Sequence, residues 1–425
     1  MKALVIGGAR SGIAVAHLLN REGYAVTLTT NQTFDQIQEL KDAGITISLD
    51  DRDMSLVDDY DIVVKNPGIP NEHPLVLQFP VVLNEIEVAT RFSQSYNYYA
   101  VSGTNGKTTT VTLLHEMLLA KASSALLAGN VGYALSDAVF RDRDFVRDVA
   151  LEISAFQMEG TPTFAPKVYG LLNLSPDHLD RYASVQDYYD AKLSILPRVG
   201  TFVRNIDDAN IASLTHEFQG NVIDISLTSN ADVMMVDGVI VYDGIPLFNR
   251  KDLKLVGDHN VMNAAMAATI AYLAGVSIAD IANVIASFAG VEHRIEFVAE
   301  IDSIRYYNDS KATNPESTEV CLRAFDQPII LLAGGYDKHI SFEILRPYTH
   351  KIKKLFVFGE SAQQIEEIFP DAFVVKTMKE AFDSAKNVAN SGDIVVLSPA
   401  CASYDQFDNF EQRGNIYKEY VKTLQ

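Results

Sequence analysis

Ser102-Gly103-Thr104-Asn105-Gly106-Lys107-Thr108-Thr109-Thr110 combines glycines, hydroxyls and one lysine at a spacing suited to phosphate oxygens. Backbone N–H groups of a glycine turn, and the positive end of a following helix, hold anions, and glycine lets the main chain come close. Lys107 offers a mobile charge to the outer phosphates, and the Thr108 hydroxyl can ligate Mg²⁺. The common phosphate loop has another glycine five residues before Gly106, where this chain has Val101, so the pattern is a shortened G-x-x-G-K-T. Its flanks give it weight. Tyr98–Val101 is expected to be a short buried strand, and Val111, Leu114, Leu118 and Leu119 follow near-helical spacing from Thr108 to Ala120.

Other residues could join that chemistry. Glu152 ends the apolar strand Val149-Ala150-Leu151, where a Mg²⁺ ligand beside a phosphate loop belongs; a surface glutamate is the competing reading. His178 follows the next strand, although a lone histidine is usually structural or solvated. Lys192 falls in a helix expected to start at Ser184, with Asp187 completing a capping box, and a helix lysine is ordinarily a solvated charge. Arg294 lies near a domain junction, where it could reach a transferred phosphate or make an interdomain ion pair. Polar turns at 308–314, 334–338 and 398–403 each follow a strand and imply one shared crevice.

The elements that must position these groups have an α/β rhythm. Ala3–Ile6, Ala25–Thr29 and Asp61–Val64 are expected strands with a helix over 13–20, and the alternation resumes through Val149–Ile153 and Val168–Leu172. Residues 254–290 are helix-rich, with Gly275 as a stop; beyond Arg294, strands are expected at Ile329–Leu332, Lys354–Phe358 and Ile394–Leu397. The expected fold is α/β with three domains, 1–94, 95–291 and 292–425, each on a mainly parallel sheet with flanking helices. A chain of 425 residues, 48% hydrophobic, can bury more than one core. The first glycine turn, Gly7-Gly8-Ala9-Arg10-Ser11-Gly12, has Ala9 where the dinucleotide fingerprint has its middle glycine, and Thr29-Thr30-Asn31 lacks the acidic ribose partner. A differently placed nucleotide and a plain strand-to-helix turn both remain open there. A formal charge of −20 argues against nucleic acid or an anionic membrane as partner. Two cysteines exclude a disulfide framework. Without a secretion signal or a membrane-spanning stretch, the expectation is a cytoplasmic protein with no membrane insertion.

An ordered series of motifs then resembles the Mur ligases, the ATP-dependent amino-acid-adding enzymes of peptidoglycan synthesis, most of all the branch that adds D-glutamate. The series is G-G-A-R-S-G at 7–12, N-P-G-I at 66–69, G-T-N-G-K-T-T-T at 103–110, L-A-G-N-V-G at 127–132 and E-I-S-A-F-Q at 152–157. It continues with D-H-L-D at 177–180, G-D-H-N at 257–260, H-R at 293–294, N-D-S-K-A-T-N at 308–314 and S-P-A-C-A-S-Y-D-Q-F-D-N-F-E-Q-R-G at 398–414. The resemblance implies Rossmann-like first and third domains around a phosphate-loop ATPase-like centre, acting as a monomer on UDP-N-acetylmuramoyl-L-alanine, D-glutamate and ATP with two Mg²⁺. It implies ATP contacts at Gly103, Thr104, Asn105, Gly106, Lys107, Thr108, Thr109, Asn263, Arg294, Asp309 and Lys311. Arg10, Ser11, Gly12, Asn66, Asn130 and His178 would meet the uridine substrate, and Thr313, Lys338, Ser403 and Phe410 the D-glutamate. Metal ligands would be Thr108, Glu152, His178 and a carbamylated Lys192, and catalytic roles fall on Lys107, His178, Lys192 and Arg294. Departures from the family are the missing acid at 29–31, Glu292 where a proline is common, and short connections around Leu77–Pro80 and Lys121–Ser124.

Overall fold

The computed structural model describes all residues except 143, 179–180, 338–340 and 425. The chain divides into two compact units, Met1–Arg250 with Met262–Val284, and Lys251–Val261 with Ile285–Gln425. The first unit holds two sheets. The smaller is wholly parallel, built from β1 (Lys2–Ile6), β2 (Ala25–Thr29), β3 (Thr46–Ser48) and β4 (Ile62–Lys65) in the order β3-β2-β1-β4. Helix Arg10–Arg21 covers one of its faces through Val15, Ala16 and Leu19.

The second sheet has nine strands: β5 (Tyr96–Ser102), β6 (Leu126–Gly129), β7 (Arg147–Glu152), β8 (Val168–Leu171), β9 (Thr201–Asn205), β10 (Val222–Ser226), β11 (Val233–Val236), β12 (Val239–Tyr242) and β13 (Ile245–Asn249). Their order is β13-β12-β11-β10-β9-β8-β5-β7-β6, parallel from β6 to β11. β5 lies between β7 and β8 with Tyr98 to Ser102 all buried, which is why it is an unbroken apolar run rather than an alternating one. The antiparallel edge β11-β12-β13 had no counterpart among the expected elements. Its hairpins turn at Asp237-Gly238 and Asp243-Gly244, all four residues at positive φ, the pairing that two-residue type I′ turns require.

Residues 254–290 fold as helices Asp258–Leu273 and Ile278–Ser287. Gly275, at φ +85°, ends the first: its N–H donates to Tyr272 O and that of Val276 to Ala271 O, the paired bonds of a Schellman stop.

The second unit carries β14 (Glu296–Ile301), β15 (Ile304–Asn308), β16 (Ile329–Gly334), β17 (Ile352–Phe358), β18 (Phe373–Val374) and β19 (Ile394–Leu397), ordered β14-β15-β19-β16-β17-β18. Only β14 is antiparallel. One face packs on Leu322, Phe325 and Ile365, the other on Phe382, Tyr417 and Val421, so the strands are buried on both sides. No helix among the described residues is long and apolar enough to cross a membrane.

Candidate active site

The phosphate-loop residues form the turn between β5 and helix Lys107–Lys121. Gly106 caps that helix at φ +83°, and a Cβ there would lie 2.3 Å from Asn263 Oδ1, so backbone conformation and close approach both demand glycine. The loop is stapled to the segment after β8. Asn173 Oδ1 accepts from Asn105 N at 2.8 Å, Asn173 O from Thr104 N at 3.0 Å, and Thr104 Oγ1 donates to Ser175 O at 3.1 Å. The Lys107 ammonium donates to Gly103 O at 2.8 Å and Thr104 O at 2.7 Å, which holds it over the loop on the helix's first turn.

Lys192 comes to the same carbonyl. Ser184 caps helix Val185–Leu193 through the Asp187 N–H, as expected, yet the lysine two turns later is only 1% exposed. Its Nζ donates to Gly103 O at 2.9 Å and lies 4.8 Å over the Tyr188 ring. Burial, reinforced by the charge of Lys107, pulls its pKa from 10.5 down to about 7. The solvated-lysine reading is wrong for this position, and the amine is half neutral near pH 7.

Glu152, at the end of β7, is 1% exposed. Its Oε1 accepts from Asn130 Nδ2 at 2.7 Å, while Oε2 is buried without a hydrogen-bond partner. An unsatisfied buried carboxylate oxygen is costly, and a cation or its water would satisfy it. Among the described residues no three His, Cys, Asp or Glu side chains converge. That donor set fits Mg²⁺, which takes one or two carboxylates plus substrate phosphates and waters rather than an all-protein cage.

Glu152's partner Asn130, with Lys107, His178 and Lys192, lines a cleft of about 420 Å³ whose opposite wall is the smaller sheet, through Arg10, Ser11 and Asn66. His178 has φ +53° and stands 4.8 Å from the Phe156 ring. Asn66 Nδ2 donates to Ser11 Oγ at 3.0 Å. Arg10, exposed at the cleft, donates to Gly132 O, Gly129 O and Asn130 O at 2.7–3.2 Å, tying the two sheets' glycine turns together. Gly12 lies beneath the cleft, where a Cβ would be 2.0 Å from Gly7 O; it is a packing glycine.

In the second unit the expected residues gather at the carboxyl ends of β15, β16 and β19. Asp309 is buried; its Oδ2 accepts from Ser398 Oγ at 2.7 Å and Oδ1 from Ile295 N at 3.1 Å, and burial raises its pKa to about 7. Arg294 is exposed, and its charge opposes that rise. The Lys311 ammonium lies 5.6 Å over the Phe410 ring, and Thr313 follows on the same turn. Ser403 is buried at 2% exposure, and Lys338 lies outside the described residues.

Arg413, which no sequence argument singled out, organises this crevice. It is fully buried, and its guanidinium donates to Ser310 Oγ, Ser310 O, Cys401 O and Ala402 O at 2.9–3.1 Å. Ser310 Oγ in turn donates to Phe410 O at 2.8 Å. Burial lowers the pKa of Arg413 only to about 10, so it stays charged. Asn173, Tyr188 and Arg181 were likewise missed. Asn173 sits just after β8 and Tyr188 on the buried side of the Lys192 helix, whereas Arg181 carries no such signal.

A phosphate loop opening into a cleft at strand carboxyl ends defines a nucleotide-binding protein of the open α/β class. The family model described as "Mur ligase middle domain" matches residues 101–271, and that described as "Mur ligase, glutamate ligase domain" matches 293–401. UDP-N-acetylmuramoylalanine--D-glutamate ligase of Caldicellulosiruptor bescii is 38% identical over 99% of this chain and 97% of its own length. The enzyme of the same name from Listeria innocua is 36% identical over 100% and 96%. Among solved structures, MurF of Acinetobacter baumannii superposes with a TM-score of 0.62 at 15% identity, covering 99% of this chain and 93% of its own. The Thermotoga maritima UDP-N-acetylmuramate-alanine ligase gives 0.61 at 17%, covering 100% and 99%. The chain belongs to the Mur ligase family of ATP-dependent ligases.

Proposed function

We propose that this chain joins D-glutamate to the L-alanyl carboxylate of UDP-N-acetylmuramoyl-L-alanine, with cleavage of ATP, as a step of peptidoglycan precursor synthesis in the cytoplasm. The observation that carries the reading is the meeting, in one cleft opposite a second sheet's glycine turn, of two lysines that share the phosphate-loop carbonyl of Gly103 with Asn130, the partner of the unsatisfied Glu152 carboxylate. The full-length relatives support the choice of substrates.

The substrate carboxylate attacks the γ-phosphorus of ATP; the bond to the β-phosphate oxygen breaks, leaving an acyl phosphate and ADP. The D-glutamate amine then adds to that carbonyl, loses a proton, and the tetrahedral intermediate expels phosphate. No protein nucleophile is required. Lys107 and Arg294 stabilise charge that builds between carboxylate and phosphate, and the N-terminus of helix Lys107–Lys121 positions the phosphates. Thr108, Glu152 and His178 would hold Mg²⁺, which would supply the remaining charge neutralisation. The half-neutral amine of Lys192 is suited to capture CO₂, and the resulting carbamate would join that ligand set. Residues 1–94 take the uridine end, 95–291 the ATP and 292–425 the D-glutamate, by a monomer.

The test is phosphate release from ATP, Mg²⁺ and UDP-N-acetylmuramoyl-L-alanine with D-glutamate, L-glutamate or L-lysine added separately. Release with D-glutamate alone is expected. Release with another amino acid keeps the ligase but overturns the reading of 292–425. No release from folded, ATP-binding protein would favour a folate-directed ligase or a nucleotide switch.

A further inference from the structure

Behind the cleft, outside its lining, Arg181 joins elements from both sheets of the first unit. Its Nη1 donates to Pro67 O at 2.6 Å and Nη2 to Ile69 O at 3.1 Å, so the fork grips both ends of the turn after β4. Asn66 on that turn faces the cleft and holds Ser11. The guanidinium plane lies 4.0 Å over the Phe156 ring, which stands 4.8 Å from His178 and stacks on Tyr182 at 5.6 Å. Glu159 balances the charge: its carboxylate is 4.0 Å from Arg181 and 3.9 Å from Lys65, and it accepts from Tyr182 OH at 2.6 Å and Asn71 Nδ2 at 3.0 Å. Lys65 donates to Ile69 O as well, at 3.0 Å. Two cations are thus committed to the main chain of one turn and share one fully engaged carboxylate, far more than a surface loop needs to stay closed.

We propose that Arg181 is a positioning residue that sets the Asn66–Ile69 turn against the Phe156–His178 wall, so that seating the uridine substrate and aligning its carboxylate beside His178 are one event. This rests on the ligase reading above. A planar fork that both stacks and donates twice cannot be copied by an ammonium, so lysine keeps the charge beside Glu159 and loses the alignment.

The experiment compares Arg181→Lys and Arg181→Met with the parent in steady-state kinetics and thermal unfolding. The expected result for R181K is a near-parent melting temperature, a KM for the uridine substrate raised about ten- to hundredfold, a lowered kcat and an unchanged KM for D-glutamate, since misplacement by about 1 Å costs on that scale. R181M should show the same kinetic pattern with reduced stability. Kinetic constants within about twofold of the parent in R181K, whatever its melting temperature, would overturn the proposal and leave Arg181 a structural tie. Should R181M fail to fold, Phe156→Leu removes the stacking plane without touching a charge and should reproduce the R181K kinetics. Absence of D-glutamate-dependent turnover in the parent would instead sink the ligase reading. Calorimetric titration with uridine diphosphate then reads the clamp alone: affinity about tenfold weaker in R181K supports it, while equal affinity, or no binding by either protein, overturns it.

Discussion

The cleft of the first unit and the crevice of the second are both built at strand carboxyl ends, yet they treat charge in opposite ways. In the cleft, Lys107 and Lys192 share one carbonyl and Lys192 is poised to lose its proton near neutrality, while Glu152, bonded to the cleft residue Asn130, keeps an oxygen unsatisfied. In the crevice, the Arg413 charge is spread over four acceptors and Asp309 is held by two donors. Moving a phosphoryl group calls for charges that can re-pair as the reaction proceeds. The amino-acid site proposed for the second unit calls for turns that do not move, and a buried arginine fixes three of their carbonyls and one hydroxyl at once. The contrast separates sites that act from sites that fit.

That contrast can be attacked at several points. Lys107→Ala should lower turnover by about 10²–10³ or more while the melting temperature stays near the parent's; normal turnover would remove the lysine from the mechanism. Arg413→Met should mainly cost stability, about 1–3 kcal/mol for each buried acceptor left unpaired, and raise the KM for D-glutamate but not for ATP; denaturant titration beside kinetics would show it. Gly106→Ala forces a side chain into φ +83° and against Asn263, so ATP affinity should fall about tenfold or more by calorimetry, with the uridine substrate still bound.

Smaller effects come from pH. Between about 7 and 10.5 the unfolded chain holds a proton on Lys192 that the folded chain has lost, so stability rises with pH across that window. Asp309 is the reverse. Between 3.8 and about 7 the folded chain holds the extra proton, so stability falls as pH rises. Glu85, raised by burial to about 7, adds the same sign in the first unit, so each slope is read as parent minus variant. Subtracting Lys192→Met from the parent should leave the first slope and subtracting Asp309→Asn the second; flat differences would mean that neither group is shifted. Least of all, Gly238→Ala on the outer hairpin, where nothing lies within 4 Å of a Cβ, should cost about 1–2 kcal/mol for its positive φ and leave turnover untouched.

Much of this was legible in the chain because it is periodic or punctuated. The strand Ala25–Thr29 was anticipated residue for residue, and the strand, turn and helix around Gly103 to within a few residues, because the first alternates apolar residues with threonines, the second is a nearly continuous apolar run, and each ends at turn residues. The Asp-Gly turns at 237–238 and 243–244 carried an equally strong hairpin signal, and its omission cost three strands. The side-chain errors share one cause. Lys192, Arg181 and Arg413 look like surface charges in any local window, and burial that depends on a ring or a carbonyl many residues away leaves no spacing to detect. The resemblance to the Mur ligases picked out Lys192 where spacing could not, but gave no role to Arg181 or Arg413, and the geometry shows what each one touches.

The central claim is that the cleft activates a carboxylate by phosphorylating it. Its most direct test uses UDP-N-acetylmuramoyl-L-alanine labelled with ¹⁸O in both carboxylate oxygens, turned over with ATP, Mg²⁺ and D-glutamate, with the released phosphate analysed by mass spectrometry. An acyl phosphate predicts one ¹⁸O in each phosphate and one retained in the new amide. Unlabelled phosphate, formed at the same rate as product, would contradict it.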